Sequence, residues 1–390
     1  MESVWWVFKQ LFEKGKVYRS YQIMPYSTAL CTPLSNFEAQ QNYQNTQDPA
    51  VVVSFPLLGP EHSDTSLLIW TTTPWTLPSN LAIAAHPDFE YIKIHDEESN
   101  HSYILLESGL PVLYKNPAKA KFRKVGKVIG KDMLGWKYKP LFPYFSQEYE
   151  DCFRVINALF VTAEDGVGLV HCAPAFGLED YEAATEAGII SAKRLPPNPV
   201  DEKGCFTSDV SDYFGQHVKV AEKAIVKDLK KTGRLVVDSQ ITHSVGFCWR
   251  SDTPLIKKAV SAWFIKVSDS IPQMLESIEE TNWVPSFVKE KRFANWISSA
   301  RDWNVSRNRY WGTPIPLWVS DDYEEVVCVG SIEELRQLSG LSEELMDIHR
   351  DKVDGITIPS KKGKGVLRRV EEVFDCWYVI SMATPSNRNH

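Results

Sequence analysis

Between residues 46 and 245 the sequence is cut into short β-branched or aromatic runs separated by turn residues. This rhythm restricts the chain to a fold built on sheets. AVVVSFPL from Ala50, SLLIW from Ser66, LAIAA from Leu81, FEYIKI from Phe89 and SYILLE from Ser102 are the clearest runs. Lys119–Gly130, Cys152–Val161 and Val167–His171 continue them. Two helices interrupt the strands. Leu178–Ala187 carries acids at its start and is stopped by Gly188, and Lys219–Thr232 is stopped by Gly233. The expected class is α+β, a β-barrel-like domain over 46–245 with peripheral helices and with mixed α/β segments flanking it.

Those flanks read differently. Residues 1–45 form an opening helix and linker. Val4, Trp5, Phe8, Leu11 and Phe12 recur at helical spacing, Gly15 is the stop, and a turn-rich stretch with MPYSTALCTPLSNFEA runs to about Gln47. Residues 246–377 hold a strand-then-helix pattern, WFIKVSDSIPQMLESIEE, an amphipathic pattern, KEKRFANWISSA, and a basic glycine-lysine loop at Ser360–Gly365. Six tryptophans of this region (Trp263, Trp283, Trp296, Trp303, Trp311, Trp318) predict partly exposed apolar faces, and hence aggregation or dimerisation. Residues 378–390 are a divergent tail.

Composition excludes several classes. A net charge of −7 gives no overall basic field, so an RNA contact would rest on local patches. The seven cysteines are dispersed, odd in number and without a C-x-x-C pair, which argues against a zinc knuckle or a disulfide framework and for a reducing compartment. No apolar run has the length of a membrane helix, and the opening residues lack a signal-peptide pattern. The N-x-S triplets at Asn100 and Asn304 therefore carry no weight.

Two segments carry candidate chemistry. Thr71-Thr72-Thr73-Pro74-Trp75-Thr76-Leu77-Pro78-Ser79-Asn80 follows the apolar run Leu67–Trp70, a strand running into a proline-braced loop rich in hydroxyls. Such groups can hold a ribose or phosphate edge, orient a water or donate to an oxyanion. The same residues equally suit a polar strand end that satisfies its own backbone. In Gly168-Leu169-Val170-His171-Cys172-Ala173-Pro174-Ala175-Phe176-Gly177-Leu178-Glu179-Asp180-Tyr181, His171 ends a strand and Asp180 sits in a helix's first turn, where the helix dipole favours an ionised carboxylate. A fixed anion there could hold an ammonium group. The plain alternative is a core histidine followed by a dipole-compensating acid. Cys172 adjoins His171 and would face the other side of a strand, which disfavours a Cys-His nucleophile.

The wording of these segments resembles the paired editing motifs of isoleucyl-tRNA synthetases, TTTPWTLPSN with GLVHCAPAFGLEDY, and MPYSTALCTPLSNFEA resembles the lead into the inserted editing domain. Valyl and leucyl enzymes are expected to carry T-T-R-P-E-T and T-T-R-P-D-T, where this chain has Thr73 and Trp75. HSVGFCWRSDTPLIKKAVSAWF, RDWNVSRNRYWGTPIPLW and EEVFDCW resemble the return path toward the synthetic domain, and TPIPLWVSDDYEEVVC with KKGKG favours the eukaryotic branch. The resemblance covers about residues 1–377. H-I-G-H and K-M-S-K-S, the ATP-handling motifs of class I synthetases, are absent from the sequence. The expectation is a piece of a longer enzyme without ligase activity of its own. Where the family continues F-D-C-W-F-E-S-G-S, this chain reads FDCWYVISMATPSNRNH, and no function is assigned to that end.

The resemblance implies post-transfer editing, hydrolysis of valine from mischarged tRNA(Ile). A single methylene discriminates weakly, and isoleucyl enzymes are the standing example of the second sieve that corrects for it. It further implies that Asp180 binds the α-ammonium, that His171 lines the side-chain pocket, and that Thr71, Thr72 and Thr73 position ester, water or ribose, with Thr72 the preferred hydroxyl. Trp75, Asn80 and Gly177 would complete the substrate-binding surface. No metal or cofactor is expected for editing, ATP serving only the full-length enzyme. The implied partners are the CCA end of tRNA(Ile) carrying valine, valyl-adenylate as a further substrate, and the synthetic domain, in the cytoplasm. RNA contacts would come from Lys223, Lys227, Lys230, Lys231 and Arg234, or from Lys361, Lys362, Lys364, Arg368 and Arg369, unless these are solvated faces. The competing expectation is an inactive CCA-end binding or scaffold fragment.

Overall fold

The computed structural model describes residues 1–34, 36–62, 64–191, 194–341 and 345–383. The end of the divergent tail, 384–390, lies outside the described residues. The chain divides into two compact units. One is Gln22–Val260, and the other joins Met1–Tyr21 to Ser261–His390.

Gln22–Val260 is built on nine principal strands, β1 (Tyr43–Pro56), β2 (Thr65–Thr71), β3 (Ala82–Ala85), β4 (Glu90–Asp96), β5 (His101–Leu106), β6 (Phe122–Ile129), β7 (Arg154–Asn157), β8 (Leu169–Cys172) and β9 (Leu235–Gly246). Six of them form one sheet in the order β9-β1-β2-β5-β4-β6, and three form a second in the order β8-β3-β7. This half-barrel arrangement, with helices α1 (Leu178–Glu186) and α2 (Val218–Lys231) at its periphery, makes the class α+β. The middle of the large sheet is covered on both faces, so Val51, Val52 and Val53 of β1 and Leu67, Leu68 and Ile69 of β2 are all sealed from solvent. Their uninterrupted apolar runs reflect that two-sided burial. One side packs Val52, Leu68, Ile92, Ile94, Tyr103 and Leu105 into a single cluster.

The segment expected to be turn-rich contains two stretches of strand that periodicity does not show. Val17–Ser27 is extended. β1 begins at Tyr43, seven residues before its apolar run, because Gln44 to Pro49 pair antiparallel with β9 from Val245 back to Gln240. Both stretches are only partly buried, so nothing selects alternating apolar residues there. In place of the long run Cys152–Val161 only Arg154–Asn157 forms a strand, paired in parallel with β3. Both helices end at glycines of positive φ, Gly188 and Gly233, as their sequences require.

The other unit gathers Val4, Trp5 and Phe8 of the helix Glu2–Glu13 around Trp318, Phe374 and Tyr378. Trp5 Nε1 donates to the Pro314 carbonyl at 2.8 Å. The tryptophans expected to lie partly exposed separate into three groups, of which Trp283 and Trp303 are half-buried. Trp263 and Trp318 are buried in this core, whereas Trp296 and Trp311 are each 68% exposed. The pattern KEKRFANWISSA does not form one regular helix, since Val288–Phe293 is wound with π pitch before Ala294–Ser298 resumes α geometry. No helix among the described residues is long and apolar enough to cross a membrane.

Candidate active site

β2 carries its apolar run to Thr71 and there gives way to a six-residue 3-10 turn, Pro74–Ser79, with a proline at its first position. The turn is buried throughout; its Thr76 hydroxyl finds partners, whereas the Ser79 hydroxyl is buried without one. Thr71 Oγ1 accepts from the Thr73 amide at 3.1 Å and lies 3.3 Å from Thr73 Oγ1. Thr76 Oγ1 lies 3.4 Å from Thr73 Oγ1 and donates to the Thr73 carbonyl at 2.8 Å. Thr72 is half-buried, and its hydroxyl makes no hydrogen bond among the described residues. Trp75 is buried with Nε1 unpartnered, its ring set edge-on to Phe176 at 4.9 Å. At the far end of the turn, Asn80 Nδ2 donates to the Ala82 carbonyl at 2.9 Å and its Oδ1 accepts from Tyr138 at 2.7 Å. Asn80 thus holds the loop onto the small sheet.

The second motif reaches this loop through β8, which pairs antiparallel with β3 so that His171 lies opposite Ile83. Burial presses the His171 imidazole down to about 4, so it is neutral at pH 7. Its Nε2 lies 2.9 Å from Thr76 Oγ1, and its Nδ1 is buried without a partner. Cys172 is fully buried and its thiol is pushed well above its usual range by burial, which removes it as a nucleophile.

Asp180 stands in the first turn of α1, and its Oδ2 folds back to accept from the Ala173 amide at 2.9 Å. Gly177 makes this possible, because a Cβ there would stand 2.6 Å from the carboxylate carbon. The expectation that the helix dipole fixes the charge is corrected by the environment. Burial outweighs the dipole and raises the carboxyl to about 6, with Glu179 adding to the rise and Ala173 N–H and Lys257 opposing it. An ammonium ligand would reverse that balance.

Thr71, Thr73, Thr76 and His171 therefore form one hydrogen-bonded chain, and Trp75 meets the residue before Gly177. Thr76 and Phe176 are the members that sequence reasoning passed over. Both lie inside the quoted motifs, but only the tertiary contact singles them out. The basic loop is a different matter. The Lys361 and Lys362 amides donate to the Glu325 carboxylate at 2.9 and 3.2 Å, and Lys364 pairs with Glu324 at 2.6 Å. Arg369 is paired with Asp354. On helix α2, Lys223, Lys227 and Lys230 are exposed and Lys231 is paired with Asp228 at 2.7 Å.

A mixed α/β chain with two motif-bearing segments joined in one site defines a class when set beside known proteins. Residues 1–389 match the family described as tRNA synthetases class I (I, L, M and V), and the chain belongs to that family. Within it, the chain is similar to cytoplasmic isoleucine–tRNA ligases. The one from Schizosaccharomyces pombe is 61% identical over 379 residues, 97% of this chain and 35% of the relative. Those of Saccharomyces cerevisiae and Mus musculus are 58% and 52% identical over 97% of this chain, covering 35% and 30% of those relatives. The chain thus spans about a third of their length. Among solved structures, the cytosolic leucyl-tRNA synthetase editing domain of P. knowlesi aligns with 51% of this chain and 98% of its own, at 9% identity and a TM-score of 0.39. That of P. falciparum aligns with 49% and 99%, at 9% identity and a TM-score of 0.37.

Proposed function

We propose that the unit Gln22–Val260 hydrolyses the ester between valine and the terminal adenosine of tRNA(Ile), sparing isoleucine, and does so in the cytoplasm. The observation that carries this reading is the 2.9 Å contact between Thr76 and His171, which ties the threonine loop to the strand leading into Asp180. In this reading the Asp180 carboxylate holds the substrate's α-ammonium, whose charge restores the ionised form that burial disfavours. His171, neutral, offers a rigid wall against the side chain and excludes isoleucine by size. Thr72, with Thr71 and Thr73, orients the attacking water and the ester. Trp75, Gly177 and the loop held by Asn80 complete the surface. No protein nucleophile is needed, because an aminoacyl ester is already activated and a vicinal ribose hydroxyl can assist. Orientation and oxyanion stabilisation supply the rate, without a metal or cofactor. Valyl-adenylate is a second candidate substrate, and the names of the relatives favour isoleucine as the amino acid to be spared.

The test is deacylation of valyl-tRNA(Ile) and isoleucyl-tRNA(Ile) by this chain beside Asp180→Ala. Valine release with isoleucine spared, lost in the variant, supports the reading. A folded chain that binds the CCA end but releases neither amino acid would instead support the binding-fragment reading.

A further inference from the structure

The stretch from Lys115 to Lys139 carries nine lysines and arginines and one acid, Asp132, in a chain whose net charge is −7. All nine cations are exposed. Two are neutralised within the fold, Lys124 by Glu107 and Lys127 by Glu90, each at 2.6 Å. Three of them, Arg123, Lys124 and Lys127, lie on β6, the last strand of the large sheet, with Lys121 just before it and Lys131 just after, and most residues of the strand are exposed. Charged residues on a terminal strand commonly serve to block sheet-to-sheet pairing. That purpose does not explain Lys115, Lys119, Lys137 and Lys139, which lie outside the strand. Nor does it explain the pocket beside it.

That pocket, of about 260 Å³, is lined by Lys93, Lys127, His62 and Trp136. Gly126 also lines it, paired with Lys93 next to a bulge in the β4–β6 register, where the missing side chain leaves room. The rings of His62 and Trp136 lie 4.3 Å apart in that lining, which also includes Ile104 and Val128. Aromatic rings and ammonium groups that line one pocket, beside a segment rich in exposed cations, suit a stacked base and the phosphates that flank it. An acidic protein segment would use the cations and leave the aromatic pocket empty.

We propose that this face binds a single-stranded RNA segment, its phosphodiester groups along β6 and one base stacked on Trp136. The assignment is independent of the hydrolytic reading, since it shares no residue with the Thr76–His171 site.

The experiment uses the whole chain and a fluorescent oligoadenylate of about twelve nucleotides, within the span of single-strand sites, with a duplex RNA, a tRNA transcript and heparin as competitors. Binding should weaken steeply between about 50 and 200 mM salt. Arg123→Glu with Lys127→Glu should weaken it at least about tenfold and flatten the salt slope. Trp136→Ala should weaken it about tenfold with the slope unchanged, and Trp136→Phe should restore most of the loss. Lys291→Glu, at an exposed lysine of the other unit, should change nothing. Better competition by the tRNA transcript than by oligoadenylate would identify an unpaired stretch of tRNA as the occupant, and the reverse a general single strand. Preference for the duplex, equal loss for heparin with Trp136→Ala silent, or binding indifferent to the β6 substitutions would each overturn the assignment. Circular dichroism of each variant separates these outcomes from misfolding.

Discussion

Thr76 Oγ1 stands 2.9 Å from His171 Nε2, across 95 positions of sequence, while the same oxygen donates its one proton to the Thr73 carbonyl at 2.8 Å. It must therefore accept from the imidazole. That fixes the proton on Nε2 and leaves Nδ1 as a buried lone pair with no partner. A threonine hydroxyl thus sets the tautomer of a neutral histidine.

Thr76→Val keeps the shape of the side chain and removes the acceptor. The buried Nε2–H is then unsatisfied, and the unit should lose about 1–3 kcal/mol. Thr76→Ser should lose less than half of that. Denaturant midpoints of the two variants check the ordering. Equal losses would mean that the methyl contact, not the hydroxyl, holds the loop.

Gly177→Ala separates backbone strain from site geometry. Gly177 has a φ of −133°, a conformation open to alanine, so the backbone does not resist. The new Cβ instead falls 2.6 Å from the Asp180 carboxylate and must displace it from the Ala173 amide. Deacylation should fall about tenfold or more through KM, the size of one lost charge-assisted contact, with stability changed by under about 1 kcal/mol because the carboxylate can swing outward. Combining Gly177→Ala with Asp180→Ala should cost no more than Asp180→Ala alone. Additive losses in kcat/KM would count against a shared target.

The site's pH dependence has two contributions of opposite sign. Asp180 titrates at about 6 in the folded chain, above its ordinary 3.8. The folded state therefore holds a proton that the unfolded state has released, and stability falls as pH rises across that interval. His171 is lowered to about 4 from 6.5, so the folded state binds fewer protons and stability falls as pH drops across its interval. The two nearly cancel, and the wild-type curve should look flat between them. Asp180→Asn exposes each. Above pH 6 the variant should be more stable than wild type by about 1–2 kcal/mol, with the gain gone below about pH 4. It should also be inactive. In the wild type, kcat/KM should decline as pH falls below about 6 and Asp180 is neutralised. A variant less stable than wild type at pH 8 would show that Asp180 is not a buried charge in the free protein.

How much of this was readable from sequence depends on what each residue faces. β1 and β2 announce themselves because both faces of the sheet are covered there, so Val51–Val53 and Leu67–Ile69 must all be apolar. The polar half of β1, Tyr43–Pro49, carries no such mark, since only its pairing with β9 makes it a strand. The two motifs were legible as wording, and Thr76 was inside one of them. Its partnership with His171 is tertiary and left no local signal. Asp180 shows the limit of a local rule. Its place in a helix's first turn argued for easy ionisation, yet burial governs, and burial is a property of the whole unit. The cations of 115–139 were visible as composition, whereas the place of Arg123, Lys124 and Lys127 on the outermost strand of the sheet needed the pairing of β4 with β6.

Asn80 tests whether a motif residue acts on substrate or on the loop that carries the substrate's contacts. Its Oδ1 accepts from Tyr138 and its Nδ2 donates to Ala82, so both polar atoms are engaged inside the fold. Tyr138→Phe removes one of those partners without touching the loop sequence, leaving Oδ1 buried and unsatisfied at a cost of about 1–3 kcal/mol. If Asn80 works by holding the turn Pro74–Ser79, then Tyr138→Phe and Asn80→Ala should lower kcat by similar factors and raise KM little. The double variant should be no worse than Asn80→Ala, because the two residues share one bond. An Asn80→Ala chain with normal stability but a sharply raised KM, and a silent Tyr138→Phe, would instead assign the amide to the substrate. The ratio of KM to kcat effects in these three chains therefore decides between them, and it does so without any assumption about which amino acid the ester carries.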